Sequence, residues 1–240
     1  MRNPKWHRDE IILALDLYFR MDSSKMTSSH PDIIELSELL NRLPIHDIRP
    51  DEVKFRNPNG VNLKLNNFKA FDPTYKGTGM QNYGKLDKIV FEEFASDTDR
   101  LHRIASRLRE VSEDLALANE LYLIREEDDD QMEVKEGAVI YKLHKYRERD
   151  SKIVKRKKER EYQRLGKLPC EACTFDFYQK YGELGYKYIE CHHRTPLSEF
   201  SSTSKTTLKD LALVCSNCHR MLHRRVDTLS VEGLKRILTA

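Results

Sequence analysis

The first 169 residues contain no cysteine; all five cysteines fall between Cys170 and Cys218. No disulfide can staple the N-terminal part, and clustered CxxC pairs in a reducing compartment point to metal rather than to disulfides. Long apolar runs are missing as well: none approaches the ~20 residues that a membrane span needs. The opening residues, Met1-Arg2-Asn3-Pro4-Lys5-Trp6, pass straight into an amphipathic pattern without the apolar core of a secretion signal. These absences predict a soluble, cytoplasmic protein with no membrane partner. Apolar residues are also scarce, at 39%, while 34% of the 240 residues are charged. Such a composition suits two small domains with much surface better than one deep core. The net charge of +3 is unremarkable; its distribution along the chain says more about partners.

What is present begins with helical periodicity. Ile11, Ile12, Leu15, Tyr18 and Phe19 recur on one face of a first helix. A second follows the start signal Ser28-Ser29-His30-Pro31, with Ile33, Leu36, Leu40 and Leu43 on one side until Pro44. The segment 61–68 is ambiguous. Val61, Leu63 and Leu65 alternate like a strand, whereas Val61, Leu65 and Phe68 fit a helix. The Asn57-Pro58 start and the Asp72-Pro73 stop favour the helix. After a glycine-containing loop, Lys76-Gly77-Thr78-Gly79, comes more helix. The longest apolar stripe runs through Leu101, Ile104, Ala105, Leu108, Val111 and Leu115, capped by Asp97-Thr98-Asp99.

Residues 125–136 are acidic and nearly devoid of apolar side chains, which reads as a boundary. The chain then turns basic, with Lys152, Lys155, Arg156, Lys157, Lys158 and Arg160 opposed only by Glu159. The expected organisation is a mainly helical domain at 1–124, a charged linker or helix at 125–164 and a second domain at 165–240. The basic run serves either as an element lying along a phosphate backbone or as a solvated connector, and only the former predicts salt-sensitive affinity.

Cys170-Glu171-Ala172-Cys173 and Cys215-Ser216-Asn217-Cys218 are two CxxC knuckles with 41 residues between them. Together they supply four thiolates to one tetrahedral, closed, structural zinc site. Between and just after them lie four histidines. His219 and His223 are spaced i, i+4, which aims both imidazoles to one helix face. Tyr188-Ile189-Glu190-Cys191-His192 reads as a short strand, on which Glu190 and His192 share one face and His193 takes the other. His192 can therefore join His219 and His223 around a second metal while His193 points elsewhere. Cys191, left over from the knuckles, reads as a small core residue.

The stretch Glu190-Cys191-His192-His193-Arg194-Thr195-Pro196-Leu197-Ser198, followed by Asp210-Leu211-Ala212-Leu213-Val214-Cys215-Ser216-Asn217-Cys218-His219-Arg220-Met221-Leu222-His223, resembles HNH endonucleases of the ββα-metal fold. The resemblance implies an α+β chain: a mainly helical N-terminal domain followed by a ββα-metal module with a four-cysteine zinc site. It implies that His192, His219 and His223 bind a catalytic divalent ion such as Mg2+ or Mn2+, and that His193 is the general base in phosphodiester hydrolysis. Asp210 stands where the family usually has asparagine. An aspartate accepts loop-tying hydrogen bonds but, when ionised, donates none. Arg194, Arg220, Arg224 and Arg225 are candidates for phosphate contacts.

The segment from Trp6 to Phe19, with Phe55-Arg56-Asn57-Pro58-Asn59-Gly60-Val61 and the residues to Asp72-Pro73, is similar to N-terminal regions that precede HNH modules in restriction endonucleases. That resemblance implies restriction of foreign DNA, gated by cytosine modification as in Mcr-type enzymes. Arg56, Lys64 and Lys69 then read as DNA contacts of the first domain, and Trp6, Phe55, Tyr75 and Tyr83 as walls of a pocket for an extruded base. Cutting both strands of double-stranded DNA usually needs two modules, so a homodimer is expected. The competing readings are a DNA-binding or assembly protein built on a zinc ribbon, and a homing-type nuclease.

Overall fold

A computed structural model describes residues 2–46, 48–80, 82–123, 139, 142–143, 146, 151–194, 206–224 and 229–239. The acidic stretch 125–136 and Arg225 lie outside the described residues. The chain divides into two compact units, Met1–Lys142 and Leu143–Ala240. It is mostly helical, with a small two-stranded sheet. No helix among the described residues is long and apolar enough to cross a membrane.

The first unit is built from helices α1 (Arg8–Arg20), α2 (Pro31–Arg42), α3 (Pro58–Phe68), α4 (Lys85–Phe94), α5 (Thr98–Glu113) and α6 (Leu115–Leu123). The ambiguous segment is a helix: the Asn57 side chain accepts from Gly60 N at 2.9 Å, and Pro58 sits in the first turn, where its missing N–H costs nothing. The long apolar stripe breaks at Asp114, so Leu115 opens α6 instead of closing α5.

Helix α1 differs from the single stripe its sequence suggests. Every residue from Asp9 to Tyr18 is buried, because α2, α3, α4 and α5 all pack against it. Its polar residues therefore go under with it and must be paired. Glu10 accepts from Arg56 Nε at 2.7 Å and Nη2 at 2.8 Å, and lies 3.1 Å from His46 Nε2. Burial pushes its carboxyl pKa up, but the hydrogen bonds from His46 and Arg56 outweigh that and hold it below its ordinary value. Asp16 accepts from Arg20 and Arg109 on one oxygen and faces His102 with the other.

The second unit opens on α7 (Ser151–Leu165), followed by a short helix α8 (Phe177–Tyr181) and a 3₁₀ turn (Gly182–Gly185). Strands β1 (Glu190–His193) and β2 (Leu211–Val214) pair antiparallel, with Glu190 opposite Val214 and His193 opposite Leu211. Helices α9 (Ser216–His223) and α10 (Val231–Thr239) complete it. All four residues of β2 are buried because the ribbon is covered on both faces. Ala212 and Val214 pack with Cys170, Cys215, Cys218, Leu222, Val231 and Leu234. Leu211 and Leu213 pack with Leu168, Ile189 and Cys191, against Ile153, Val154 and Tyr162 of α7. The basic run thus belongs to a helix that lays one apolar edge on the ribbon. Lys157 turns inward toward Glu161 at 3.5 Å and Glu171 at 4.0 Å, while Lys152, Lys155, Arg156 and Arg160 are exposed.

Candidate metal centre

Two ligand clusters stand out in the second unit. In the first, one sulfur from each of Cys170, Cys173, Cys215 and Cys218 lies within 4.8 Å of the other three. None is in a disulfide, and the Cys173 and Cys215 sulfurs are 3.7 Å apart. A tetrahedral ion with metal–sulfur bonds of about 2.3 Å separates its sulfurs by roughly 3.8 Å, so the spacing fits a structural zinc site. The knuckle backbones are arranged accordingly. Cys173 N points at the Cys170 sulfur and Cys218 N at the Cys215 sulfur, each at 3.5 Å. Such contacts favour thiolate over thiol. Burial pushes the Cys218 and Cys173 thiols up, so four adjacent thiolates need a cation to offset their charge.

The chain locks this cluster to the ribbon through Glu171. Its backbone N–H donates to Leu213 O at 2.8 Å, its Oε1 accepts from Leu213 N at 2.8 Å, and its Oε2 is paired with Arg194. Cys215 follows β2 directly and caps α9, so the strand, the second knuckle and the helix form one continuous piece.

That helix delivers the second cluster. His192 from β1 and His219 and His223 from α9 bring one nitrogen each within 4.8 Å of the other two. The Nε2 atoms of His219 and His223 are 2.9 Å apart. An ion holding two imidazoles at about 2.0–2.1 Å keeps their nitrogens roughly 3.3 Å apart, so this donor set also fits a divalent cation. Glu190, one of the residues whose role the sequence did not disclose, lies 2.6 Å from His219 Nδ1 and accepts from Ser216 Oγ at 2.5 Å. A carboxylate on Nδ1 keeps the proton there and leaves Nε2 to face the metal. The strand parity that puts Glu190 on the His192 face was the signal available for it.

His193 takes the opposite face of β1, 2% exposed and opposite Leu211. Asp210 accepts from the Thr207 N–H and hydroxyl, both at 2.7 Å, and its own carbonyl accepts from Arg194 N at 2.8 Å. These hydrogen bonds from the Thr207 hydroxyl and backbone hold its carboxyl below the usual range, with nearby His193 adding to the effect. The Asp210 side chain serves this turn only as an acceptor, which an aspartate can supply, while its backbone N–H donates to Thr207 O at 3.1 Å. Cys191, 3% exposed, is a core residue beside Ile189 and Leu213.

The cations expected to touch DNA separate into two groups. Arg220 is exposed on α9 and Arg224 at its C-terminal cap, each one residue after a cluster histidine. Arg194 is drawn into ion pairs with Glu171 and with Glu232, the latter at 2.7 Å. Arg56 and Lys64 call for a correction. Arg56 is 5% exposed, with its guanidinium shared among Glu10 and the carbonyls of Pro4 and Lys5. Lys64 is 8% exposed and donates to both oxygens of Asp87 at 2.7 and 2.9 Å. Neither cation faces solvent, because each neutralises a buried carboxylate. Of the aromatic set, Phe55 is core, Trp6 lies across Arg56 and Lys64, and Tyr83 packs edge-on to Phe71.

Residues 170–225 match the sequence profile of the family described as HNH endonuclease. The second unit therefore carries an HNH endonuclease domain with a four-cysteine cluster, which implies a nuclease-type function and metal binding. Comparisons with curated proteins and with solved structures found no match.

Proposed function

We propose that this chain is a metal-dependent DNA endonuclease whose second unit is a ββα-metal module with a structural zinc. The observation that carries the reading is the convergence of His192, His219 and His223 from a strand and a helix, with Glu190 fixing the orientation of His219. A zinc ribbon that acted only as a staple would need the four cysteines and none of these three histidines.

In this reading Cys170, Cys173, Cys215 and Cys218 hold zinc, and His192, His219 and His223 hold the catalytic divalent ion. When bound, that ion would supply Lewis-acid neutralisation of the charge that develops in phosphodiester cleavage. His193, whose imidazole type titrates near neutrality, accepts the proton of the attacking water. As the new phosphorus–oxygen bond forms, the bond to the 3′-oxygen breaks. Asp210 keeps the turn beside His193 closed, and Arg220 and Arg224 hold flanking phosphates.

The restriction role, gated by cytosine modification and served by a dimer, rests on the resemblance of the first 73 residues to restriction enzymes. With Arg56 and Lys64 buried, the first unit's choice of target falls to its exposed surface. Digestion of matched unmodified, 5-methylcytosine and 5-hydroxymethylcytosine duplexes with several divalent metals tests both levels. Modification-dependent cutting is expected; cutting of all three alike removes the gating, and no cutting with any metal removes the nuclease. His193→Ala should lower the cleavage rate by about 10²–10⁴-fold while zinc content and DNA binding persist. Near-full activity in that variant would take the proton from His193 and give it to another group.

A further inference from the structure

The second unit carries an exposed aromatic face that the metal chemistry does not use. Tyr178, Tyr181, Tyr186 and Tyr188 are 49%, 54%, 50% and 50% exposed, and Leu184 among them is 88% exposed. Their segment is tightly built. Gly182 has φ of 59°, and a Cβ at Gly185 would lie 2.1 Å from the Phe177 carbonyl oxygen. Lys187 is held in the left-handed region at φ of 52°. The rings brace one another: Tyr186 lies 5.8 Å from Tyr178 and 6.0 Å from Tyr162, and Phe177 lies 4.7 Å from Tyr188 and 6.1 Å from Tyr181.

The sequence around them is cationic. Residues 151–188 contain ten lysines and arginines against five acids. The Lys187 ammonium lies 4.4 Å from the Tyr162 ring centroid and 5.6 Å from that of Tyr186, while also pairing with Glu159 at 3.2 Å. Lys180 is exposed on α8. A protein-binding hot spot favours aromatics too, but its centre is depleted in lysine and glutamate, and here Lys180, Glu183 and Lys187 are interleaved with the tyrosines. Braced aromatic rings set among cations are what single-stranded nucleic acid uses, its bases stacking and its phosphates meeting the lysines. His192 follows Tyr188 by four positions, so the face lies within about 14 Å of extended chain from the histidine cluster.

We propose that Tyr178, Tyr181, Tyr186 and Tyr188 form a stacking platform for unpaired nucleotides of a DNA substrate. In taking DNA as the ligand, the proposal rests on the nuclease reading. It directs the enzyme toward DNA whose strands are open or whose bases are extruded beside the cut.

The test is binding of fluorescent oligo(dT) and of a hairpin duplex, by anisotropy, to full-length zinc-loaded protein carrying His193→Ala. Into it go Tyr178→Ala with Tyr186→Ala, and the same pair changed to Phe or to Leu. Stacking contributes about 1–3 kcal/mol per base, so the alanine pair should weaken oligo(dT) binding by at least about ten-fold. Phe should restore it, Leu should not, and duplex affinity should change much less. Zinc content and the unfolding midpoint check that each variant is folded. Unchanged oligo(dT) affinity in the alanine pair, or Leu serving as well as Phe, overturns the platform. So does loss of self-association in sedimentation without loss of oligo(dT) binding, which would give the face to a second copy. A parent chain that cuts no DNA but still binds oligo(dT) through these tyrosines refutes the nuclease reading and leaves the platform standing.

Discussion

The two units solve the problem of buried polar groups in opposite ways. The first buries Glu10, Asp16, Lys64 and Asp87 and satisfies each from inside the protein: Arg56 and His46 for Glu10, Arg109 and Arg20 for Asp16, and Lys64 against Asp87. The second gathers four sulfurs into one cluster and three imidazoles into another, with the Glu190 carboxylate against His219. Buried charges that find their partners within the chain are architecture. Crowded donors that repel or exclude one another call for a ligand from outside.

The contrast breaks most visibly on metal removal. Structural zinc contributes on the order of 10–16 kcal/mol to the folding of small metal-dependent domains. Stripping zinc with a chelator, or Cys215→Ser, should therefore unfold the second unit. Trp6 is the single tryptophan of the chain and touches Arg56 in the first unit. Its fluorescence should remain native while the second unit becomes protease-sensitive. Loss of the Trp6 signal in step with zinc would mean that the units fold as one.

Next in size is the interior of the first unit. Lys64→Met leaves Asp87 buried with Asn67 and the Gly84 N–H but no cation. Removing one partner of a buried ion pair costs about 3–5 kcal/mol, read as a lower urea midpoint of the Trp6 transition, with zinc content unchanged. A near-neutral result would show that Asp87 takes up a proton or water cheaply.

The reason Arg56 and Lys64 read as DNA contacts in the sequence lies in the same contrast. A cation in a sequence does not disclose its carboxylate, and these lie 46 and 23 residues away. The ligand clusters were legible because their spacing is local: CxxC within each knuckle, i, i+4 for His219 and His223, and strand parity separating His192 from His193. Helix α3 was legible through Asn57-Pro58, whose cap and fixed φ act on neighbouring residues. That α1 is buried on all sides was not, since encirclement depends on four other helices. Glu190 fell between these cases: its face was readable, but its partner sits 29 residues on, at His219.

A smaller effect sharpens the second unit. Glu190→Gln removes the carboxylate charge from His219 Nδ1, and loss of such an outer partner typically weakens metal affinity by about 10–100-fold. Competition with a chromogenic chelator should show the larger loss at the histidine cluster. Equal weakening of the cysteine site would argue that Glu190 holds the helix rather than the imidazole.

Smallest is the response to acid. Glu10 is held below its ordinary value of 4.5 in the folded state, so its contribution is complete above that value. It should fade as pH falls through the lower folded value, because the unfolded chain then binds more protons. The urea midpoint reported by Trp6 should drop there in the parent and less in Glu10→Gln, measured relative to each protein's value near neutrality.

Cys218 and His219 are neighbours in the chain and sit on one eight-residue helix that starts from the Cys215 cap. The two clusters therefore share that helix, which carries Cys218 for one and His219 and His223 for the other. An ion that orders this helix at one cluster would favour binding at the other, and reciprocity requires the same factor in the opposite direction. Ion uptake should then be cooperative, and loss of the ion at the cysteines would undo the helix that presents His219 and His223, so that scarcity of one metal would empty both clusters.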